Sequence, residues 1–324
     1  MTLGVDDSPT GCRFTFAPAN TGEGEMKTYT AESDTLAGAV AQVDGQMSRK
    51  TDLGQLKTVI FSKDFLKDNR KLDSLLQEME RSQTISEKVM ILATKDKASE
   101  CVEAVMEADN GTGTFLWDFY KNTAKEVAVT KGIDLDAFLT ERADLKGNGV
   151  LPLISVGENG LKLGGGMAVS QEAVFPLSDR EERGYLFLLG EAEGALLEGE
   201  YAGKMLPLEI SENDAEYSFV LQDSNILCTI TLPLEGTLQG GDGIFLSAEK
   251  RGEIELIFEE LIKEEIEHTL KLSEKINEDL FGILPRLCRQ EFSLADGISR
   301  EVLWQALVFE IQPQLELKDM GRKR

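Results

Sequence analysis

Between Glu253 and Phe281 the apolar residues Ile254, Ile257, Phe258, Leu261, Ile262, Ile266, Leu270 and Ile276 recur at helical spacing and fall on one stripe. Glu255, Glu259, Glu260, Glu264, Glu267, Glu274 and Glu278 take the opposite face. A helix of this length is roughly 40 Å long, at about 1.5 Å per residue. Its stripe needs an equally long apolar surface, which predicts a layered domain with the helix lying on a sheet. Candidate strands flank it in the chain. Tyr217–Leu221 and Ile226–Leu232, separated by Gln222-Asp223-Ser224-Asn225, read as a hairpin. Leu307–Lys318 alternates and reads as extended, and Pro313 makes it an edge strand or ends it early. The glutamate face has two readings, a solvated helix face or a docking surface for a basic partner.

The first half alternates strand and helix. Strands are expected at Arg13–Phe16, Leu56–Phe61 and Lys88–Thr94, and Gly147-Asn148-Gly149 precedes the run Leu151–Val156. Helices are expected at Ala31–Met47 with Ser33 as N-cap, Lys71–Arg81, Lys97–Met106, Phe115–Val129 and Ile133–Ala143. Gly157, Gly160 and Gly164-Gly165-Gly166 crowd together and mark a boundary around 155–165. Beyond it, Met167–Val169 and Glu172–Phe175 read as strand segments, and Asp179–Leu189 as a helix ending at Gly190.

Charge and composition exclude several functions. Of 324 residues, 58 are acidic and 34 basic, a net charge of −24. A phosphate backbone or an anionic membrane surface would be repelled, so no nucleic acid partner is expected. No apolar run approaches the roughly 20 residues of a transmembrane helix, and no basic-then-apolar leader opens the chain. Cys12, Cys101, Cys228 and Cys288 lie far apart without metal-ligand spacing. They read as small buried apolar residues, although two disulfides that sequence cannot assign remain open. The single histidine, His268, would have to serve any Ser-His-Asp or Cys-His mechanism, and its acidic helical surroundings suit a solvated face instead. Gly164-Gly165-Gly166 matches neither GxxxxGK[ST] nor GxGxxG and reads as a turn or close packing. Asp179, Glu181 and Glu182, interleaved with Arg180 and Arg183, lack a calcium-loop pattern and read as a capped helix start with internal ion pairs. Lys121 and Lys125 are ordinary surface lysines. No catalytic, cofactor-binding or metal-binding residue is assigned.

Several stretches carry a family resemblance. Leu3-Gly4-Val5-Asp6 with Arg13–Ala17 resembles the opening "(L/I)GID…(Y/F)xxTxQ" of the Ger(x)C family, the C subunits of bacterial spore germinant receptors. Ser48-Arg49-Lys50 through Phe61 is similar to "SR…xGHLKxxxxG", with Gln55 for the usual histidine and Ser62 for the glycine. Leu72–Arg81 resembles "LDFLxRDxExR" without its "RD". Gly165–Phe175, Leu177-Ser178 and Glu182-Arg183-Gly184 are similar to "GxAVFKxxKLVGxLxxxETRG". The run from Glu259 to Asn277-Glu278-Asp279-Leu280-Phe281-Gly282, then Trp304, resembles a long helix ending in "DxFGFG" and its following "W".

The resemblance spans nearly the whole chain in order. It implies an α+β fold of three consecutive mixed α/β domains, with mainly antiparallel or mixed sheets and the long helix in the last. The breaks are expected near 160 and 212, giving 1–160, 161–212 and 213–324. It also implies a non-enzymatic lipoprotein that acts with an integral-membrane A subunit and a transporter-like B subunit in nutrient sensing. The expected place is the outer face of the spore inner membrane. The lipid would sit on a cysteine upstream of Met1; nothing apolar leads up to Cys12, so it does not qualify. The acidic helix face and Lys318–Arg324 are candidate contacts with the two subunits, and direct contact with germinant is left open. The alternatives are an extracytoplasmic small-ligand binding protein and a hydrolase built on His268 or carboxylates.

Overall fold

The structure, a computed structural model, describes residues 1–18, 27–47, 50–108, 114–123, 130–145, 148–158, 160–239 and 247–318. They form an α+β fold in two compact units, one ending at Leu177 and the other starting at Ser178.

The first unit contains β1 (Thr2–Ser8), β2 (Gly11–Ala17), β3 (Tyr29–Ser33), α1 (Leu36–Asp44), β4 (Thr58–Ser62), α2 (Lys63–Leu66), α3 (Asn69–Arg81), β5 (Met90–Thr94), α4 (Ala98–Ala108), α5 (Phe115–Asp118), α6 (Leu135–Asp144), β6 (Gly149–Gly157), β7 (Gly160–Val169) and β8 (Val174–Pro176). The strands make one mixed sheet in the order β3-β2-β1-β4-β5-β6-β7-β8. Its centre, β1 to β6, is parallel, and its flanks are antiparallel hairpins. Parallel central strands are covered on both faces, so they read as continuous apolar runs such as Val59-Ile60-Phe61. Val59, Phe61 and Ile91 face a core with Leu36, Leu72, Leu76 and Phe138 from α1, α3 and α6. Ile60 and Leu92 face the other side, against Cys101, Val102 and Val105 of α4.

Three expectations change here. Tyr29–Ser33 is a strand paired with β2, and the helix starts later, with the Thr35 hydroxyl accepting the Gly38 N–H at 3.1 Å. The helix expected at 115–129 is α-helical only through Asp118 and widens into a π turn over 119–123; 124–129 lie outside the described residues. The break expected near 160 falls between β6 and β7, which pair with each other from Gly157↔Gly160 onward. The glycines there serve a bulge. Two residues, Gly164 and Gly165 at φ +137° and +86°, oppose one across the register shift after Pro152, which has no N–H for the ladder.

The second unit contains α7 (Asp179–Leu189), β9 (Leu196–Tyr201), β10 (Lys204–Asn213), β11 (Glu216–Gln222), β12 (Asn225–Leu238), α8 (Ala248–Ile276), α9 (Ile283–Gln290), α10 (Phe292–Ala295), α11 (Arg300–Ala306) and β13 (Leu307–Leu317). The long strand β12 pairs with β11 and then β10 on one side and with β13, in parallel, on the other; β9 adds to β10. The break expected near 212 lies inside β10.

Helix α8 extends from a Ser247 cap to Asn277, whose left-handed φ of 54° ends it before Phe281. Ile254, Phe258, Ile262, Ile266 and Leu270 are buried at a spacing of four, so the long stripe does lie on the sheet. Glu253 accepts the Tyr201 hydroxyl of β9 at 2.6 Å, while Glu255 and Glu259 accept the Leu317 and Leu315 N–H groups of β13. The glutamate face is therefore neither one solvated surface nor one docking patch; part of it clamps the sheet. Truncating a buried Ile or Leu costs about 2–5 kcal/mol, and an unpaired buried carboxylate costs more. Ile262→Asp is expected to abolish the cooperative unfolding transition of the second unit. Glu264→Gln, exposed and 3.4 Å from Arg180, is expected to change stability by less than about 0.5 kcal/mol. Denaturant titration of the full chain compares them, and equal tolerance would contradict the packing of α8.

Candidate functional site

The residues that carry the sequence motifs hold elements together. In β1, a Cβ at Gly4 would meet Val102 Cγ2 at 2.8 Å and the Ala98 carbonyl oxygen at 3.0 Å, so glycine lets α4 lie flush on the sheet. Two residues on, the buried Asp6 carboxylate accepts the Ala98 and Ser99 N–H groups at 2.7 and 3.0 Å, capping the same helix. Glu78 of α3 does this for α1, accepting the Leu36 and Ala37 N–H groups, both at 2.8 Å.

The second unit uses the same devices. Ser178 and Glu181 form a capping box at the start of α7. Arg183 pairs with the buried Glu265 at 2.5 Å, and the hydrogen bond to that carboxylate holds the guanidinium above its ordinary range, against the opposing effect of burial. Gly184 faces Thr269 so closely that a Cβ would lie 2.1 Å from its Oγ1. Asp179, Glu181 and Glu182 thus belong to a capped helix start, as their spacing implies, while the ion pairs of Arg180 and Arg183 reach across to Glu264 and Glu265 of α8 instead of staying within the helix. His268 is half exposed, with Nε2 3.4 Å from Glu181 Oε1. The Asp279 side chain, deeply buried, accepts the N–H groups of Phe281, Gly282, Ile283 and Leu284 at 3.1, 2.9, 3.1 and 2.7 Å. Burial pushes its carboxyl above the ordinary 3.8, against the pull of those N–H groups. Phe281 packs on Tyr185, and Trp304 on Phe309.

A crevice of about 1040 Å³ opens at the carboxyl ends of β1, β4 and β5. Helices α3 and α4 leave from there on opposite faces of the sheet, the usual place for a ligand in an open parallel sheet. Its charges balance, with six basic and six acidic lining residues. Most of them serve the fold. Lys71 Nζ reaches Asp7 at 2.6 Å and the Gly11 carbonyl at 3.0 Å, and the Asp7 bond raises its pKa. Lys67 pairs with Asp64, while Asp6 and Asp68 are helix caps. The Ser62 hydroxyl accepts the Phe65 N–H, and the chain's one histidine lies in the other unit. The crevice thus offers charged contacts but, among the described residues, no nucleophile with a base. Among those residues no group of three His, Cys, Asp or Glu could hold a metal ion. Gly164–Gly166 belong to β7, Lys121 lies 4.2 Å over the Trp117 ring, and Lys125 and 319–324 lie outside the described residues.

All four cysteines are free. Cys12, Cys101 and Cys228 are buried, and burial pushes the Cys101 thiol to about 11 and the Cys228 thiol to about 12. Only Cys288 is partly exposed. A maleimide at pH 8 is expected to label Cys288 in the native chain and the other three only after unfolding. Fast native labelling of all four, read by mass spectrometry, would contradict the burial.

Family models match most of the chain. The model described as the spore germination protein N-terminal domain matches residues 1–156. The model described as spore germination B3/GerAC-like, C-terminal, matches residues 165–321. Among solved structures, the chain is similar to one described as the crystal structure of the GerBC protein. The TM-score is 0.63 at 14% identity, covering 97% of this chain and 96% of that one; at that identity the likeness is one of fold. No curated protein matches the sequence.

Proposed function

We propose, from the premise that this chain belongs to the Ger(x)C family of spore germination proteins, that it is the non-enzymatic C subunit of a nutrient germinant receptor. The observation that carries this reading is the employment of the motif residues. Gly4 and Asp6, Arg183 and Gly184, and Asp279 all hold backbone or helices in place. Such a chain is suited to presenting surfaces to partners, here an integral-membrane A subunit and a transporter-like B subunit. No helix among the described residues is long and apolar enough to cross a membrane. With a net charge of −24, anionic lipid repels the surface, so a lipid on an upstream cysteine would hold the protein to the outer face of the spore inner membrane. One acyl chain anchors weakly, whereas two or more hold firmly.

The crevice at the strand ends favours a second reading, an extracytoplasmic small-ligand binding protein. Thermal stabilisation of the chain by a panel of amino acids and sugars would distinguish it. The receptor reading is tested in spores. Deletion of the gene is expected to abolish the response to at least one nutrient, and the full-length gene, or its His268→Ala variant, to restore it. An unchanged response after deletion would contradict the reading. Restoration by the wild type alone would contradict the non-enzymatic part.

A further inference from the structure

The two-residue turn Asp223-Ser224 closes β11 onto β12 with Gln222 opposite Asn225. In such a hairpin the flanking residues exchange both backbone hydrogen bonds, and the exchange repeats at every second residue. Ser218, Val220 and Gln222 therefore bond to β12. The N–H and C=O groups of Tyr217, Phe219 and Leu221 point the other way. β11 pairs with β12 alone, and among the described residues no hydrogen bond reaches those groups.

The C-terminal end of the β13 edge of the same sheet is capped. The Leu315 and Leu317 N–H groups are taken by Glu259 and Glu255 at 2.8 and 2.9 Å. Arg251 holds the Leu317 carbonyl at 2.5 Å, and Pro313, next in the same phase, has no N–H. Bare edges invite strand addition, and among the described residues no such side chain caps the Tyr217, Phe219 and Leu221 groups of β11.

The surface beside the bare edge specifies an occupant. Val220 and Val308, 54% and 45% exposed, form with Leu227 an apolar row across three strands on the sheet's outer face. Leu221 is 58% exposed at the edge itself. Exposed Glu216 and Asp223 flank the row, while Arg286 lies over the Tyr217 ring. Alternating donors and acceptors at a two-residue repeat are matched by another backbone. We propose that β11 is a docking edge for an extended segment of a partner polypeptide, apolar opposite Val220 and basic opposite Glu216. The proposal rests on strand register and stands apart from the receptor reading.

The test titrates the full chain with a synthetic extended peptide whose residues on one face run Val, Thr, Lys at every second position, so that Val and Lys lie four residues apart on that face, and follows amide hydrogen exchange. Exchange at Tyr217, Phe219 and Leu221 is expected to slow at least tenfold. The same peptide N-methylated at alternate amides should lose binding in one of the two phases. A version with Glu in place of Lys should bind at least tenfold more weakly, with the gap closing in high salt. Unchanged exchange at the three amides under excess peptide would overturn the proposal, as would equal binding of both N-methylated forms. Protection that grows with the chain's own concentration, without peptide, would replace the basic partner by a second copy.

Discussion

Gly184→Val is expected to unfold the second unit at ambient temperature or bring it to the brink. A Cβ at this position would stand 2.1 Å from Thr269 Oγ1 and 2.7 Å from the Glu265 carbonyl oxygen. The second is a backbone atom of α8, so side-chain rotation cannot clear it. Helix α7 must retreat, which pulls Arg183 from the buried Glu265 at 2.5 Å and breaks the 3.1 Å bond from Thr269 Oγ1 to the Glu181 carbonyl. Overpacking alone costs about 1–3 kcal/mol, and breaking a buried ion pair about 3–5. A combined loss above about 4 kcal/mol is large against a typical stability of 5–15 kcal/mol. Gly184→Ala should act in the same direction, and adding Thr269→Ala should recover only part, because the Glu265 carbonyl remains. The two tryptophans separate the units, Trp117 in the first and Trp304 in the second. Denaturant unfolding in Trp117→Phe and Trp304→Phe backgrounds should show the loss in the Trp304 signal. An unchanged Trp304 midpoint would contradict the close approach.

The second large effect is expected at Asp279. One of its oxygens accepts three N–H groups and the other a fourth, all at the start of α9. Asp279→Ala leaves four backbone donors without that acceptor in a buried site. Each unsatisfied group costs about 1–3 kcal/mol, so even with relaxation the loss should reach about 4 kcal/mol. Asp279→Asn keeps one acceptor oxygen but turns an N–H₂ group toward a donor, and should fall between. Equal stability of the wild type and Asp279→Ala would show that water replaces the carboxylate.

The elements legible in the sequence were those with regular burial. The α8 stripe and the β11–β12 hairpin follow one period, and the apolar strands β4 and β5 are continuous buried runs. The limits of α8 were less legible. Its first turn, Ala248–Gly252, carries no apolar residue of the stripe. Beyond Asn277, Leu280 and Phe281 are apolar and buried yet belong to the loop wound around Asp279. Strands β9 and β10 were missed for a related reason. Gly199 and Pro207 are poor strand formers, but Gly199 is required because Phe258 stands 3.0 Å from where its Cβ would be. The glycines of β7 look like a linker in sequence and are a bulge in structure.

Motif membership was legible and motif purpose was not. Asp6 caps a helix start 92 residues away, and Glu78 one 42 residues away. Such caps leave no local signature, because the acceptor and the donors meet only once the sheet has formed. The Arg183–Glu265 pair, 82 residues apart, is invisible for the same reason. The bare edge of β11 could be read only from the pairing of β12, whose other partners are separated from it in sequence.

The central claim is that this chain works by holding partners. The most direct measurement is co-purification of the tagged protein, expressed from its whole gene, from spore membranes in mild detergent that would preserve the proposed lipid. The account expects an integral-membrane A subunit and a transporter-like B subunit to be recovered with it in near-equal amounts. It also expects recovery to fall sharply for the unfolding variant Gly184→Val and to persist for His268→Ala. Recovery of neither subunit, from membranes that contain both, would contradict the claim.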